Sequence, residues 1–311
     1  MAKIAVALEP AVAARAGTGV APKRTAYRML ARGEGWSVSD VICTFGPTDR
    51  RFEEQHSQVL VAVVIAGSFQ YRTPDRERAG ELMTPGSLLL GNAGQCFECG
   101  HEHGTGDRCL SFSYAPEYFD GIAPQAGAGR AERAFRTPRL PYLRALSPLV
   151  AQMCARLAAD SGPSHDFTSG ISWEELSIQL AALAARLANG ARRNGQDAMP
   201  SAVARVTRAV RMIEESPESE LGVRSLAREA GLSPYHFLRC FGQLTGVTPH
   251  QYLMRTRLRK AATRLATEPA KVLDIALDCG FGDVSNFNRA FRKEFGTRPQ
   301  VFRRKGCGVS P

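Results

Sequence analysis

The chain has 311 residues, of which 44% are hydrophobic and 23% charged, and its formal net charge is +10. This composition is typical of a globular protein that is long enough for two domains. No apolar run approaches the roughly 18 residues that span a bilayer. The N-terminal apolar run Ile4–Leu8 ends at Glu9 and Pro10, so we expect neither a membrane partner nor an export signal, and a cytoplasmic protein.

The positive charge is concentrated in the last third of the chain. From Pro200 onward there are 19 Lys and Arg against 10 Asp and Glu, whereas Met1 to Met199 holds 21 against 20. A charge excess that is confined to one region indicates a surface for a polyanion there.

The first half of the chain has the pattern of short strands. Between Trp36 and Phe119 the chain contains β-branched and aromatic runs separated by glycine and proline turns. Frequent turns between short strands predict a small barrel or sandwich. Three runs carry this pattern most clearly: Gln58–Thr73, Leu82–Gln95 and Arg108–Pro116.

After Pro138 the apolar spacing becomes helical. Leu140–Ala159 and Trp173–Ala188 predict two helices, and the second contains a leucine row, Leu176, Leu180, Leu183 and Leu187. This row is longer than one short helix needs against its own domain, so we expect it to form a homodimer, with packing on the barrel as the alternative. The polar segment 191–200 follows and predicts a linker between domain 1–190 and domain 201–311.

The C-terminal domain contains an internal repeat. The repeated positions are 50 residues apart, and they pair Phe237, Phe241, Gly246, Pro249 and Tyr252 with Phe287, Phe291, Gly296, Pro299 and Phe302. Upstream, Ala227 and Gly231 recur 49 residues later as Ala276 and Gly280. Each copy has the pattern of a helix-turn-helix, in which glycine ends the first helix and two phenylalanines of the second helix are buried. Ser233 and Asp283 are the expected N-caps of the second helices, and Pro249 opens a continuous helix between the copies.

The opposite faces of the two second helices are free to contact DNA. In a major groove, arginine can bind guanine through two hydrogen bonds, and asparagine can bind adenine. The residues predicted on these faces are Tyr235, Leu238 and Arg239 in the first copy, and Val284, Ser285, Asn288 and Arg289 in the second. Arg292, Lys293 and the cations of Arg255–Lys260 are expected to contact phosphates, which position a protein without specifying sequence.

The C-terminal hundred residues resemble the AraC/XylS family of transcription regulators. The resemblance rests on the repeated residues, on G-V-T-P at Gly246–Pro249 and G-T-R-P at Gly296–Pro299, and on I-A-x-x-x-G-F at Ile275–Phe281. It implies two DNA-binding helix-turn-helix units, a variable N-terminal sensing or dimerising domain, and RNA polymerase as a partner. The N-terminal half resembles the cupin-type arm of such regulators through the turn Thr84–Gly86 and the helical pair after Pro138. The expected fold is therefore a cupin-like β-barrel (about 36–120) with a helical pair (about 138–189), followed by an all-α domain.

A second candidate site lies between Cys96 and Cys109, a segment rich in thiols and imidazoles. Its candidate residues are Cys96, Cys99, His101, His103 and Cys109, with His56 able to approach from another strand. Cys99, His101 and His103 would share one face of a strand. Three interpretations stay open: structural or effector-pocket residues, a metal ion as cofactor, or a thiol that senses an oxidant or electrophile, for which Arg108 could lower the thiol pKa. Cys43, Cys154, Cys240 and Cys279 are expected to be small apolar residues of the interior.

These patterns predict a regulator that binds double-stranded DNA and activates transcription in response to a small-molecule, metal or electrophile effector. No nucleophile elbow, phosphate loop or dinucleotide motif is present in the sequence, so we expect no enzyme. The alternatives are a cupin-type metalloenzyme tethered to DNA, and a constitutive DNA-binding protein whose N-terminal domain only dimerises.

Overall fold

The computed structural model describes residues 25–74, 80–104, 106–122, 135–160, 171–190 and 200–306. Within these ranges, no helix combines the length and apolar character that crossing a membrane requires. The predicted linker between the two domains falls mostly on 191–199, outside the described residues.

The first half of the chain forms two antiparallel sheets. The six-stranded sheet has the order β1-β2-β9-β4-β7-β10, and the four-stranded sheet has the order β3-β8-β5-β6. The strands are β1 Thr25–Gly33, β2 Trp36–Cys43, β3 Phe52–Gln55, β4 Val59–Gly67, β5 Phe69–Arg72, β6 Glu81–Met83, β7 Leu88–Gly91, β8 Cys96–Gly100, β9 Asp107–Tyr114 and β10 Arg139–Leu140.

The six-stranded sheet is buried on both faces, which explains the nearly continuous apolar run of β4. Alternate side chains of a strand point to opposite faces. Val61 and Val63 belong to the core beneath the helices, whereas Ala62 and Val64 pack with residues of the four-stranded sheet. The two sheets therefore lie face to face.

The predicted cupin barrel is found only in part. The two sheets pack against each other, but no strand of one pairs with a strand of the other among the described residues, so no closed barrel is seen there. The strand region also begins at Thr25, ahead of the expected boundary at Trp36. This first strand is at the edge of its sheet and carries arginines and exposed residues on both faces, which masks its pattern in the sequence.

Three helices follow or flank the sheets: α1 Pro116–Ile122, α2 Ser147–Ala159 and α3 Trp173–Gly190. The leucine row of α3 packs on the six-stranded sheet of its own chain. Leu176 and Leu180 are fully buried there, and Leu183 and Leu187 lie partly buried against the same core. The row therefore packs on the sheet of its own chain, which was the alternative to a dimer surface, and the homodimer stays a prediction.

The C-terminal domain is helical, as predicted. Its helices are α4 Pro200–Glu215, α5 Val223–Glu229, α6 Pro234–Thr245, α7 Pro249–Thr267, α8 Val272–Asp278, α9 Val284–Phe295 and α10 Pro299–Gly306. The long helix α7 is shared by two cores: Tyr252 and Leu253 pack with α4, α5 and α6, and Leu258 and Leu265 pack with α8 and α9. Helix α7 thus fixes the position of the two helix-turn-helix units relative to each other.

The N-terminal half directly contacts the helices of the C-terminal domain. Arg139, which is buried, donates to the carbonyl oxygen of Thr245 at the end of α6 over 2.8 Å. Ser147 at the start of α2 hydrogen-bonds Glu294 near the end of α9, and Ala151 is part of the second helical core. The two helices that were predicted to contact DNA, α6 and α9, are therefore contacted near their C-terminal ends by the N-terminal half.

Candidate nucleic-acid interface

Helix α6 of the first unit begins and ends at strong local signals. The Ser233 hydroxyl accepts from the backbone N–H of His236 over 3.4 Å, Pro234 is the first helical residue, and Gly246 ends the helix with φ at 78°. Phe237 and Phe241 are fully buried. This burial turns Tyr235, Leu238 and Arg239 outward, and Tyr235 is 78% exposed.

Helix α9 of the second unit repeats this arrangement. The Asp283 carboxylate accepts from the backbone N–H of Asn286 over 2.7 Å, and Gly296 ends the helix with φ at 72°. Phe287 and Phe291 are fully buried, as the repeat predicts. The predicted DNA-facing side chains Ser285, Asn288, Arg289, Arg292 and Lys293 are all exposed, and Val284 is half-buried.

The second unit also bears a basic groove that the sequence pattern did not reveal in full. The groove lies between α9, α10 and the start of α8, and its described lining contains seven cations and no acidic residue. Sequence analysis identified Arg289, Arg292 and Lys293. The further cations are Lys271, Arg298, Arg303 and Arg304. For Arg298, Arg303 and Arg304 the available signal was their place after the second glycine turn, because G-T-R-P starts a helix beside α9, whereas Lys271 lies before α8.

The cations of α7 are engaged within the protein, so their prediction as phosphate contacts is wrong for Arg259 and unsupported for the others. Arg259 is buried and pairs with Glu214 over 2.7 Å. Arg257 donates to the carbonyl oxygens of Pro217 and Ser219. Arg255 pairs with Glu294 over 3.3 Å, and Lys260 pairs with Glu218 over 2.8 Å.

The cysteine-histidine segment does not form the strand face that we expected. Strand β8 ends at Gly100, so His101 and His103 lie in the turn that follows it. Cys96 is exposed at the other end of β8. The structure instead gathers Cys43, His101 and Asp107, with one donor atom of each within 4.8 Å of the others.

A cavity lies between the two sheets, and Cys43, His101 and Asp107 belong to its lining. Cys99 and Cys109 are buried in the wall of this cavity. Cys43 is buried, as expected, but its neighbours are an imidazole and a carboxylate and not only apolar side chains. Sequence analysis missed Cys43 and Asp107, since their approach depends on strand register and on no local motif. His56 lies elsewhere in the cavity lining, where its ring hydrogen-bonds the Tyr71 hydroxyl over 2.7 Å and stacks on Phe97.

The electrostatics of the cavity do not fit a reactive thiol. Burial, reinforced by the negative charge of Asp107, raises the pKa of both Cys99 and Cys109. Arg108 does not act on these thiols as expected, because its guanidinium is held by Asp40 through two bonds of 2.8 Å. Burial alone would lower the pKa of His101, but its hydrogen bond to Asp107, together with the negative charge of that carboxylate and the nearby Cys43 thiol, raises that pKa to about 9.

Comparison with known proteins agrees with the geometry of the C-terminal domain. A family model described as a helix-turn-helix domain matches residues 226–305. The transcriptional activator RhaS of Klebsiella pneumoniae is 30% identical over 227 residues, which cover 69% of this chain and 77% of that protein. The RhaS protein of Citrobacter koseri is 32% identical over 213 residues, covering 65% and 71%.

A third relative matches over a shorter region. RhaS of Escherichia coli O139:H28 is 32% identical over 154 residues, so the match spans about half of each chain, 50% and 53%. Among solved structures, an AraC-type transcriptional regulator from Chromobacterium violaceum is 27% identical, with a TM-score of 0.32, and the match covers 34% of this chain and 95% of that one.

The RhaS proteins of Klebsiella pneumoniae and Citrobacter koseri match over more than two thirds of their length and are HTH-type regulators. The two capped helices with exposed polar faces are what such regulators need for binding DNA. The chain belongs to the AraC/XylS family and is a DNA-binding transcriptional regulator.

Proposed function

We propose that this regulator is an effector-responsive activator that works in the cytoplasm and has a cupin-like sensing half. The observation that carries the proposal is the contact between the two halves. Arg139 and Ser147 bond to the ends of α6 and α9, so a change in the sheets or in α2 alters the pose of both DNA-facing helices. The relatives named above are transcriptional activators, which favours activation over repression.

The effector site that fits this role is the cavity between the two sheets. It has a volume of about 290 Å³ and is lined by apolar and polar side chains in similar numbers, so a small ligand could be both buried and held by hydrogen bonds. A ligand shifts the protein toward one pose only if its affinity differs between the two poses. A constitutive DNA-binding protein would bind its operator equally with and without an effector.

Base contacts fall to Arg239 in the first unit and to Asn288 and Arg289 in the second, supported by Tyr235, Leu238, Val284 and Ser285. These side chains lie on the outer faces of α6 and α9, opposite the buried phenylalanines. Arg292 and Lys293 lie closer to the end of α9, in the basic groove, and are assigned to phosphates. Two units on one rigid helix would enter successive major grooves on one side of the DNA.

A homodimer and a contact with RNA polymerase complete the proposal. A dimer would place two DNA-binding domains on paired half-sites and increase apparent affinity through effective concentration. Its surface must differ from the leucine row, which packs within the chain. The relatives are transcription regulators, and the proposed role requires no catalytic activity.

The assignment of base contacts and phosphate contacts is tested with alanine substitutions at three exposed arginines. We expect Arg239→Ala and Arg289→Ala to lower discrimination between an operator, selected from a random DNA pool, and unrelated DNA by about 1–3 kcal/mol each. Arg292→Ala should weaken binding to both DNAs alike, since phosphates carry no sequence information.

The matched control is Arg211→Ala, an exposed arginine on α4 that pairs with Glu215 over 3.8 Å. Fluorescence anisotropy measures the affinity of the wild type and of each variant for both DNAs. Equal losses on operator and unrelated DNA for Arg239→Ala and Arg289→Ala would reject the assigned base contacts.

A further inference from the structure

The cluster of Cys43, His101 and Asp107 brings together three side chains that can ligate a metal ion and that have no part in DNA binding. All three residues are buried, and one donor atom of each lies within 4.8 Å of the other two. A tetrahedral zinc ion with bonds of about 2.0–2.3 Å holds its donor atoms about 3.3–3.8 Å apart, so small side-chain rotations would bring these donors to one cation. A thiol, an imidazole and a carboxylate in one place are the donors that borderline transition cations prefer.

Strand register explains why two of these residues meet. Cys43 ends β2 and lies directly opposite Asp107, the first residue of β9. Residues that are opposite in an antiparallel pair point to the same face of a sheet, and so does the residue two positions further along. Cys109 therefore shares this face, and its thiol donates to Asp107 Oδ2 over 3.3 Å.

His101 reaches the same point from the other sheet. It follows β8, and the turn after it is pressed against the six-stranded sheet at Gly106, where φ is 87°. A Cβ atom at Gly106 would lie 2.5 Å from the carbonyl oxygen of Cys43, so only glycine allows this approach. The site thus joins the two sheets at one end of the cavity.

The imidazole of His101 is held on one side and free on the other. Its Nε2 atom hydrogen-bonds Asp107 Oδ1 over 2.5 Å. Its Nδ1 atom is buried and has no hydrogen-bond partner among the described residues. A carboxylate that holds one ring nitrogen while the other binds a cation is the usual environment of a metal-binding histidine.

We propose that this end of the cavity binds a thiophilic divalent cation of the zinc class. The cation is held by the Cys43 thiolate and His101 Nδ1, with solvent filling the remaining positions, and Asp107 orients the imidazole through its hydrogen bond to Nε2. On binding, the S–H bond of Cys43 breaks, a sulfur–metal bond forms, and the proton passes to solvent. The aromatic rings of Phe45 and Phe69, whose centroids are 6.1 and 5.9 Å from that of His101, give the site an apolar surround that limits water.

The experiment uses the full-length protein, reduced and stripped of metal with a chelator. Cobalt(II) is the probe, because thiolate ligation gives a charge-transfer band and tetrahedral geometry gives strong visible bands. We expect one cobalt per chain, displaced by one zinc. Cys43→Ser and His101→Gln should each remove the charge-transfer or visible bands or weaken cobalt affinity, and Asp107→Asn should weaken it by about 10- to 100-fold.

Cys96→Ser and Cys154→Ser are the matched controls, since Cys96 is exposed at the far end of β8 and Cys154 is buried in a different core. Both should bind cobalt like the wild type. Zinc should also raise the melting temperature of the wild type and of both controls but not of Cys43→Ser, which shows whether that variant is folded and metal-free.

The proposal would be overturned by the absence of a thiolate-to-cobalt band in the wild type, by unchanged binding in Cys43→Ser and His101→Gln, or by loss of binding in Cys96→Ser. A thiol titration on the same samples identifies the case in which the cysteines instead form a disulfide, which also overturns it. DNA binding is measured in parallel, because it rests on the C-terminal helices and would survive the failure of the metal site.

Discussion

At the scale of single residues, His56 shows how burial determines a protonation state. Its ring lies between the sheets, stacked on Phe97 with 4.2 Å between ring centroids, and it bonds the Tyr71 hydroxyl. Burial lowers the pKa of His56 to about 4, because the charged ring would lose its hydration. The residue is therefore neutral at neutral pH, and it braces β3 against β5 through Tyr71.

This pKa predicts how His56 makes stability depend on pH. The unfolded histidine has a pKa of about 6.5, so between that pH and about 4 the unfolded chain binds a proton that the folded chain does not. The contribution of His56 is therefore fully present above pH ~6.5 and is lost as the pH falls toward 4. We expect His56→Gln to flatten the fall in unfolding free energy over this window.

Denaturant unfolding at several pH values measures this difference between the variant and the wild type. His236→Gln is the control, because His236 is exposed on α6 and should leave the slope unchanged. Identical pH profiles for wild type and His56→Gln would show that His56 is protonated equally in the folded and unfolded states.

At the scale of elements, local signals predicted the helices well. The caps Ser233 and Asp283 and the phenylalanine pairs of α6 and α9 all lie within a few residues of the structure they determine. The Cys43–Asp107 contact could not be predicted in this way, since it depends on the pairing of β2 with β9, 64 positions apart. The edge strand β1 was missed because its side chains follow no single buried face.

The contact between α2 and α9 gives a prediction at this scale. Glu294 accepts from Ser147 and pairs with Arg255, and these two ionised side chains are only 10% and 15% exposed. Replacing Glu294 by glutamine removes the charge while keeping the size. We expect the full chain to lose about 1.5–3 kcal/mol of stability, the usual value for hydrogen bonds to charged groups.

In a fragment of residues 200–311 the same substitution should cost less than about 1 kcal/mol, because Ser147 is absent and the pair with Arg255 becomes a surface pair. Glu268→Gln, which breaks the more exposed pair with Arg264 on α7, is the matched control and should be mild in both proteins. Guanidinium unfolding provides the four values. An equal loss in full chain and fragment would show that Glu294 acts only within the C-terminal domain.

At the scale of the whole molecule, charge and structure divide the chain in the same place. The excess of 19 Lys and Arg over 10 Asp and Glu begins where α4 begins, at Pro200. Several of these cations are engaged inside the domain, whereas those of the basic groove line an open surface of the second unit. The net charge predicted the correct domain for DNA binding, but only the structure separates cations that hold the fold from those available to phosphates.

The last prediction concerns this domain in isolation. Residues 200–311 contain both helix-turn-helix units and all but Leu82 and Ala151 of the buried residues of their two cores, so the fragment should fold and bind double-stranded DNA. Its affinity should fall steeply with salt, because each neutralised phosphate releases counterions, and Arg292→Ala should reduce the slope of log affinity against log salt by about 1. Arg211→Ala, outside the groove and engaged with Glu215, should leave the slope unchanged. A folded fragment that binds no DNA at low salt would mean that the N-terminal half supplies part of the DNA-binding surface, and the contact between the halves would then build that surface rather than regulate it.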